Sequence, residues 1–257
     1  MTTLVRAEIE KVLTLRYWWA LGIAPVAVAL IAAALTRPIV GAVADGSGAT
    51  FDVTLASAGI GLGVSNALVS IFAAVFGAVT AGSEFAHRTL PTTFVTARSR
   101  DAVLAAKLGT IAVFAVGYAL VVEIAGIGSM MLFSKDFTFT ADLFAISGAG
   151  ILACVAWALL GAGAGLLTGS PTAGSLAVVL WFTLGEWLIR AVLSVVDQNQ
   201  LGTALPVSAA VGTVVNAAPS IDLGGFAPWP AAPMILVVWA VAVCGSGWLR
   251  TRTRDIR

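Results

Sequence analysis

One histidine, two cysteines and three lysines bound the chemistry open to this chain. His87 stands alone, so histidines of a single chain cannot build a metal site here. Cys154 and Cys244 each sit inside an apolar run, where a cysteine acts as a small buried residue rather than as half of a disulfide. None of Lys11, Lys107 and Lys135 follows a glycine, so the phosphate-cradling G-x-x-x-x-G-K-[ST] loop is absent. If the chain takes part in driven transport, nucleotide hydrolysis belongs to another polypeptide. No catalytic constellation is visible.

Two groups of charges remain. The first is the segment from Ser83 to Lys107. It carries Glu84, His87, Arg88, Arg98, Arg100 and Lys107, and it lies between apolar runs long enough to cross a bilayer. Such a segment must lie in water, and its basic excess marks the cytoplasmic side. The plainest reading of it is a topogenic loop. A sharper one makes it the place where a soluble partner grips the protein. The second group is Glu123, Glu186 and Arg190, inside apolar runs. An ionisable side chain at a helix centre costs roughly 2.5–3.5 kcal/mol on insertion scales, so each needs a partner or water. At 1.5 Å per residue Glu123 falls about 22 Å along its span, Glu186 about 20 Å and Arg190 about 26 Å, all in the outer half of the bilayer. Either Glu186 and Arg190 satisfy each other at i and i+4 while Glu123 faces a watery crevice, or both acids hold Arg190 and pin the fifth span to the third.

The elements that position these groups follow from composition. The 257 residues are 59% hydrophobic and 11% charged, against about 25% charged in a soluble domain. The expected class is an all-α integral membrane protein with six transmembrane helices. The spans are predicted at residues 17–35, 58–81, 108–133, 143–167, 173–195 and 231–249. The first lacks a cleavage signature and is expected to stay as an anchor. Residues 3–16 form an amphipathic helix, with Val5, Ile9, Val12 and Leu13 on one face and Glu10, Lys11 and Thr14 on the other. Tyr17, Trp18 and Trp19 follow, as an aromatic belt would, so this helix is predicted to lie in the inner interface. Residues 36–57 read as a loop, with Pro38, Gly41 and Gly46. Gly59, Gly61 and Gly63 suggest close helix contact, as does the Gly161-x-x-x-Gly165 pair. Thr168 to Thr172 reads as a hairpin connection. Residues 196–230, broken by Pro206, Pro219, Pro228 and Pro230, read as short extracellular re-entrant or surface helices. With both termini cytoplasmic, eleven of the fourteen basic residues lie inside; Arg37, Lys135 and Arg190 are the exceptions.

The pattern Glu84-Phe85-Ala86-His87-Arg88-Thr89-Leu90, then Ala97-Arg98-Ser99-Arg100, then Val103-Leu104-Ala105-Ala106-Lys107, resembles the segment between spans two and three of ABC-2 type transporter permeases. The stretch Glu8-Ile9-x-Lys11-x-Leu13-Thr14-Leu15-Arg16 is similar to the family's opening, where a helix lies on the membrane before the first span. Arg88 departs from a frequent glycine. About forty residues carry recognisable motifs, although the architecture as a whole fits. The resemblance implies a single permease domain and a dimer with a second, identical or paralogous, permease subunit in membrane lipid. It implies that cytoplasmic ATPase subunits bind through residues 82–107, with Glu84, His87, Arg88, Arg98, Arg100 and Lys107 at the coupling site. ATP and magnesium would then be bound by the partner, with no cofactor in this chain. The implied activity is export of a hydrophobic or amphipathic compound across a bacterial plasma membrane; no nucleic-acid partner is expected. Two other classes stay open: an ion-gradient-driven secondary transporter, and a membrane scaffold without a transport cycle.

Overall fold

The structure is a computed structural model that describes residues 2–15, 17–47, 53–87, 99–133, 139–217 and 225–253. Among these it is helical throughout, and six of the helices are long and apolar enough to cross a membrane. In chain order the elements are α1 (Thr2–Thr14), α2 (Tyr17–Ser47), α3 (Val53–Ala86), α4 (Arg100–Phe133), α5 (Ala141–Thr168), α6 (Pro171–Val195), α7 (Asn199–Gly202), α8 (Pro206–Val215) and α9 (Ala231–Thr253). A π turn at Trp181–Gly185 interrupts α6. The chain is a helical, multi-pass membrane protein in character.

Helix α5 is the hub. It packs against α3, α4, α6, α8 and α9. Glycine makes the closest of these contacts possible. A Cβ at Gly161 would strike the backbone carbonyl of Ala74 on α3, and one at Gly77 would strike that of Ala158 on α5. With no side chain between them the two backbones meet directly, as small residues allow in membrane helices. Gly163, on another face of α5, lies against Gly247 and Val243 of α9. The Gly161–Gly165 pair therefore serves the packing expected of it. Gly63 does not, for a Cβ there would meet nothing within 4 Å, and the close-contact glycines of α3 are Gly77 and Gly82 instead.

The apolar interior forms two layers on either side of α5. One gathers Trp157, Leu160, Val178, Ala209 and Leu236 from α5, α6, α8 and α9. The other gathers Val69, Phe76, Ile111, Val122 and Leu166. Phe76 sits at the centre of an aromatic group with Tyr17, Phe114 and Tyr118. The Tyr118 hydroxyl donates to the Trp18 carbonyl at 2.7 Å, which fastens the start of α2 to α4. Exposed leucines and valines along α2, α6 and α9 form the apolar exterior that a bilayer requires.

The hairpin between α5 and α6 is built as its residues dictate. Gly169, at φ 65°, closes α5 in the left-handed conformation, while Ser170 caps α6 and Pro171 opens it. Two boundaries correct the sequence reading. Residues 36–47 continue α2 rather than forming a loop, even with Pro38 inside the helix. Pro38 removes one backbone donor, the partner of the Ala34 carbonyl, but the turns on either side keep theirs, and in an apolar setting a helix leaves fewer backbone groups unpaired than a loop would. Likewise α3 runs on to Ala86, so Glu84 is helical rather than part of a loop, while α4 begins at Arg100, in keeping with a helix that feeds the third span from about Ser99. In α1, Val12 is buried but Leu13 is half exposed, and the buried face carries Glu8.

Candidate functional site

At one end of the bundle α1, α3 and α4 converge on four charges. Glu8 and Lys11 lie one turn apart on α1. Glu84 comes from the last turn of α3, and Lys107 from the second turn of α4. The Lys107 Nζ is 2.7 Å from Glu8 Oε2 and 3.0 Å from Glu84 Oε1. The Lys11 Nζ is 2.6 Å from Glu8 Oε1 and 2.9 Å from Glu84 Oε1. Each lysine thus bridges both acids in a closed ring without net charge. The Lys107 side chain is 3% exposed and that of Lys11 44%. Burying charges is costly, and only mutual pairing of this quality offsets it. Burial works against the Lys11 charge, but hydrogen bonds to Glu8 and Glu84 outweigh it and raise its pKa above the ordinary lysine range. The stabilisation from Lys11 is therefore present below that range and lost only as pH climbs through the raised value.

This geometry revises the roles of Glu84 and Lys107. Both are held inside the chain, so they brace three helix ends rather than offering a surface to a partner. Of the other residues in the segment, His87 is exposed just beyond α3, and Arg88 and Arg98 lie outside the described residues. Arg100 is exposed at the start of α4, and its Nη1 donates to the Arg252 carbonyl at 3.0 Å. Beside it Trp248 Nε1 donates to Asp101 Oδ1 at 2.9 Å, and Arg252 lies 3.8 Å from Asp101. The start of α4 is thereby latched to the end of α9.

The intramembrane charges separate into two places. Glu186 on α6 accepts from the backbone amides of Val207 and Ser208, each at 2.6 Å, and from the Ser208 hydroxyl. It caps the N-terminus of α8, where Leu205 supplies no side-chain cap. Arg190 donates to the Ser208 hydroxyl and lies 5.8 Å from the centre of the Phe226 ring. Glu123 on α4 accepts from the Ser147 hydroxyl of α5 at 2.8 Å. Among the described residues no ion pair joins Arg190 to either acid, so neither the three-charge network nor the Glu186–Arg190 pair is formed. The reason is placement around the bundle: α3 and α5 each pack against both α4 and α6, which share almost no contact with each other. For Glu186, two backbone donors at a helix N-terminus outbid an i,i+4 pair worth about 0.2–0.5 kcal/mol.

The cap carries a prediction. Glu186→Ala should free the α8 amides at a cost of about 1–2 kcal/mol, in the range of a lost helix cap. Hydrogen exchange on the purified protein in detergent should then show faster exchange at Val207 and Ser208, with α9 unchanged. Protection equal to wild type at those amides would deny the cap its role.

Sequence reasoning alone misses Asn66, Asp101, Ser147, Ser208 and the ring partnership of Glu8 with Lys107. Asn66 has a visible signal, an amide in the middle of an apolar stretch; the others depend on contacts between distant segments. No protein-family model matches the chain, and a search of curated proteins finds no match.

Proposed function

We propose that the chain is the permease subunit of an ATP-binding-cassette exporter of the ABC-2 type. The observation that carries the reading is the convergence of α1, α3 and α4 on the buried ring of Glu8, Lys11, Glu84 and Lys107. Glu84 and Lys107 of the ring bracket the segment whose sequence resembles the family's coupling loop. A push on that segment is delivered to two spans and to α1 together, because helices locked by buried pairs move as units. In this reading the ring end is cytoplasmic, both termini lie on that side, and α1 rests at the inner interface. Arg98 and Arg100 meet the ATPase, which binds ATP and magnesium. A second permease subunit completes the pathway in a bacterial plasma membrane, and the cargo is a hydrophobic or amphipathic compound. A second reading, transport driven by an ion gradient, is favoured by the buried Glu123; it predicts uptake or efflux that stops when the gradient is collapsed while ATP remains.

The orientation is open to direct test. Cysteines introduced singly at Ser47 and Ser220, in a background lacking Cys154 and Cys244, should react with an impermeant maleimide added to intact cells. One at Ser99 should react only after lysis. External labelling at Ser99 would remove the ATPase from the ring end and the proposal with it.

A further inference from the structure

We infer that Asn66, Glu123 and Ser147 form a proton-binding site inside the bundle, with the Glu123 carboxyl held as the neutral acid. Three helices bring these residues to one depth. Asn66 lies about 9 Å inside the Ile60 end of the α3 apolar stretch, Ser147 about 9 Å inside Ala141 on α5, and Glu123 about 9 Å before Ser129 on α4. Asn66 is 2% exposed and Glu123 4%.

The polar atoms of the cluster are incompletely paired. Glu123 Oε2 receives the Ser147 hydroxyl, whereas Oε1 is buried with no partner. Asn66 faces the same carboxyl, and neither its Oδ1 nor its Nδ2 has a hydrogen-bond partner. A single added proton satisfies both oxygens: bound to Oε1, it turns that atom into a donor toward Asn66 Oδ1. With the amide turned about, Asn66 Nδ2 could donate to a carboxylate instead, but the negative charge would still have no counterion. A carboxylate away from water is expensive unless a cation answers it, and otherwise the group neutralises. Among the described residues no lysine, arginine or histidine of α2, α3, α5 or α9 pairs with Glu123. The titratable side chain facing it from α5 is the Cys154 thiol, a group that can bring no positive charge. Tyr118, on α4 with Glu123, is engaged with the Trp18 carbonyl.

The backbone leaves room for the site. A Cβ at Gly150 would collide with the Asn66 side-chain amide, so glycine on α5 is what lets Asn66 reach between the helices toward Glu123. Release of the proton to water would leave a carboxylate in an apolar seam between α3, α4 and α5, and only water or a cation entering there could stabilise it.

Infrared spectroscopy of the full chain in lipid vesicles tests the assignment. At neutral pH, far above the ordinary glutamate pKa of about 4.3, wild type should show the carbonyl band of a protonated carboxylic acid. Glu123→Gln should lose that band. Ser147→Ala should keep it but shift it to higher frequency, since the carbonyl loses one hydrogen bond. Should Glu123→Gln fail to accumulate, the Ser147→Ala shift alone assigns the band. A wild-type spectrum without an acid band at neutral pH, a band that survives in Glu123→Gln, or one that Ser147→Ala leaves in place overturns the inference; the first of these is the signature of a carboxylate held by water or by the Asn66 amide.

Discussion

Lys107→Ala should destabilise the bundle by about 3–5 kcal/mol, the cost of leaving one partner of a buried pair unanswered. Lys107 is the least exposed member of the ring and touches both acids. Its loss leaves Glu8 and Glu84 with Lys11 alone, which is itself nearly half exposed. Unfolding in mixed detergent micelles, followed by tryptophan fluorescence, would measure the change. Adding Glu8→Gln should recover a large part of it, since one lysine and one acid then remain paired. An unchanged midpoint for Lys107→Ala, or no recovery in the double variant, would show that the ring does not brace the three helices.

Gly161→Ala should be nearly as damaging, at the upper end of the about 1–3 kcal/mol typical of overpacking. The added methyl group would meet the Ala74 carbonyl, part of the α3 backbone, which cannot rotate aside as a side chain would. Helix α3 must then move away from α5 along its length, loosening the contact at Gly77 as well. Gly63→Ala is the matched control. It lies on α3 with open space around it, so it should be neutral or stabilising by about 0.5–1 kcal/mol through helix propensity. Equal thermal midpoints for the two variants would contradict the account of α3–α5 packing.

How much of this is legible in the sequence depends on which forces are local. Six spans are legible because twenty apolar residues announce themselves without reference to the rest of the chain. The Gly161–Gly165 spacing and the Gly169-Ser170-Pro171 turn are legible for the same reason. The ends of the spans are not. Pro38 and Gly41 are breakers in water, yet α2 passes through both, because the alternative in an apolar setting is an unsatisfied backbone. The charged residues can be recognised individually but not by partner. Glu8 and Lys107 are far apart in sequence, and depth along a span says nothing about direction around it. Glu186 and Arg190 show the limit most sharply. Their spacing favours a pair, but the amides of α8 are better donors for Glu186, and no local pattern reveals that the N-terminus of α8 lies beside it.

In the proposed function, residues 82–107 transmit force from an ATPase to the spans. The most direct measurement is ATP hydrolysis by a candidate ABC ATPase, reconstituted in lipid vesicles with and without the chain. The account predicts that the two copurify and that hydrolysis depends on the chain. It further predicts that Arg98→Glu/Arg100→Glu abolishes this dependence while the chain stays folded, since Arg100 is exposed and its bond to the Arg252 carbonyl is a surface contact. Hydrolysis at the same rate with wild type, with the double reversal and with empty vesicles would contradict it.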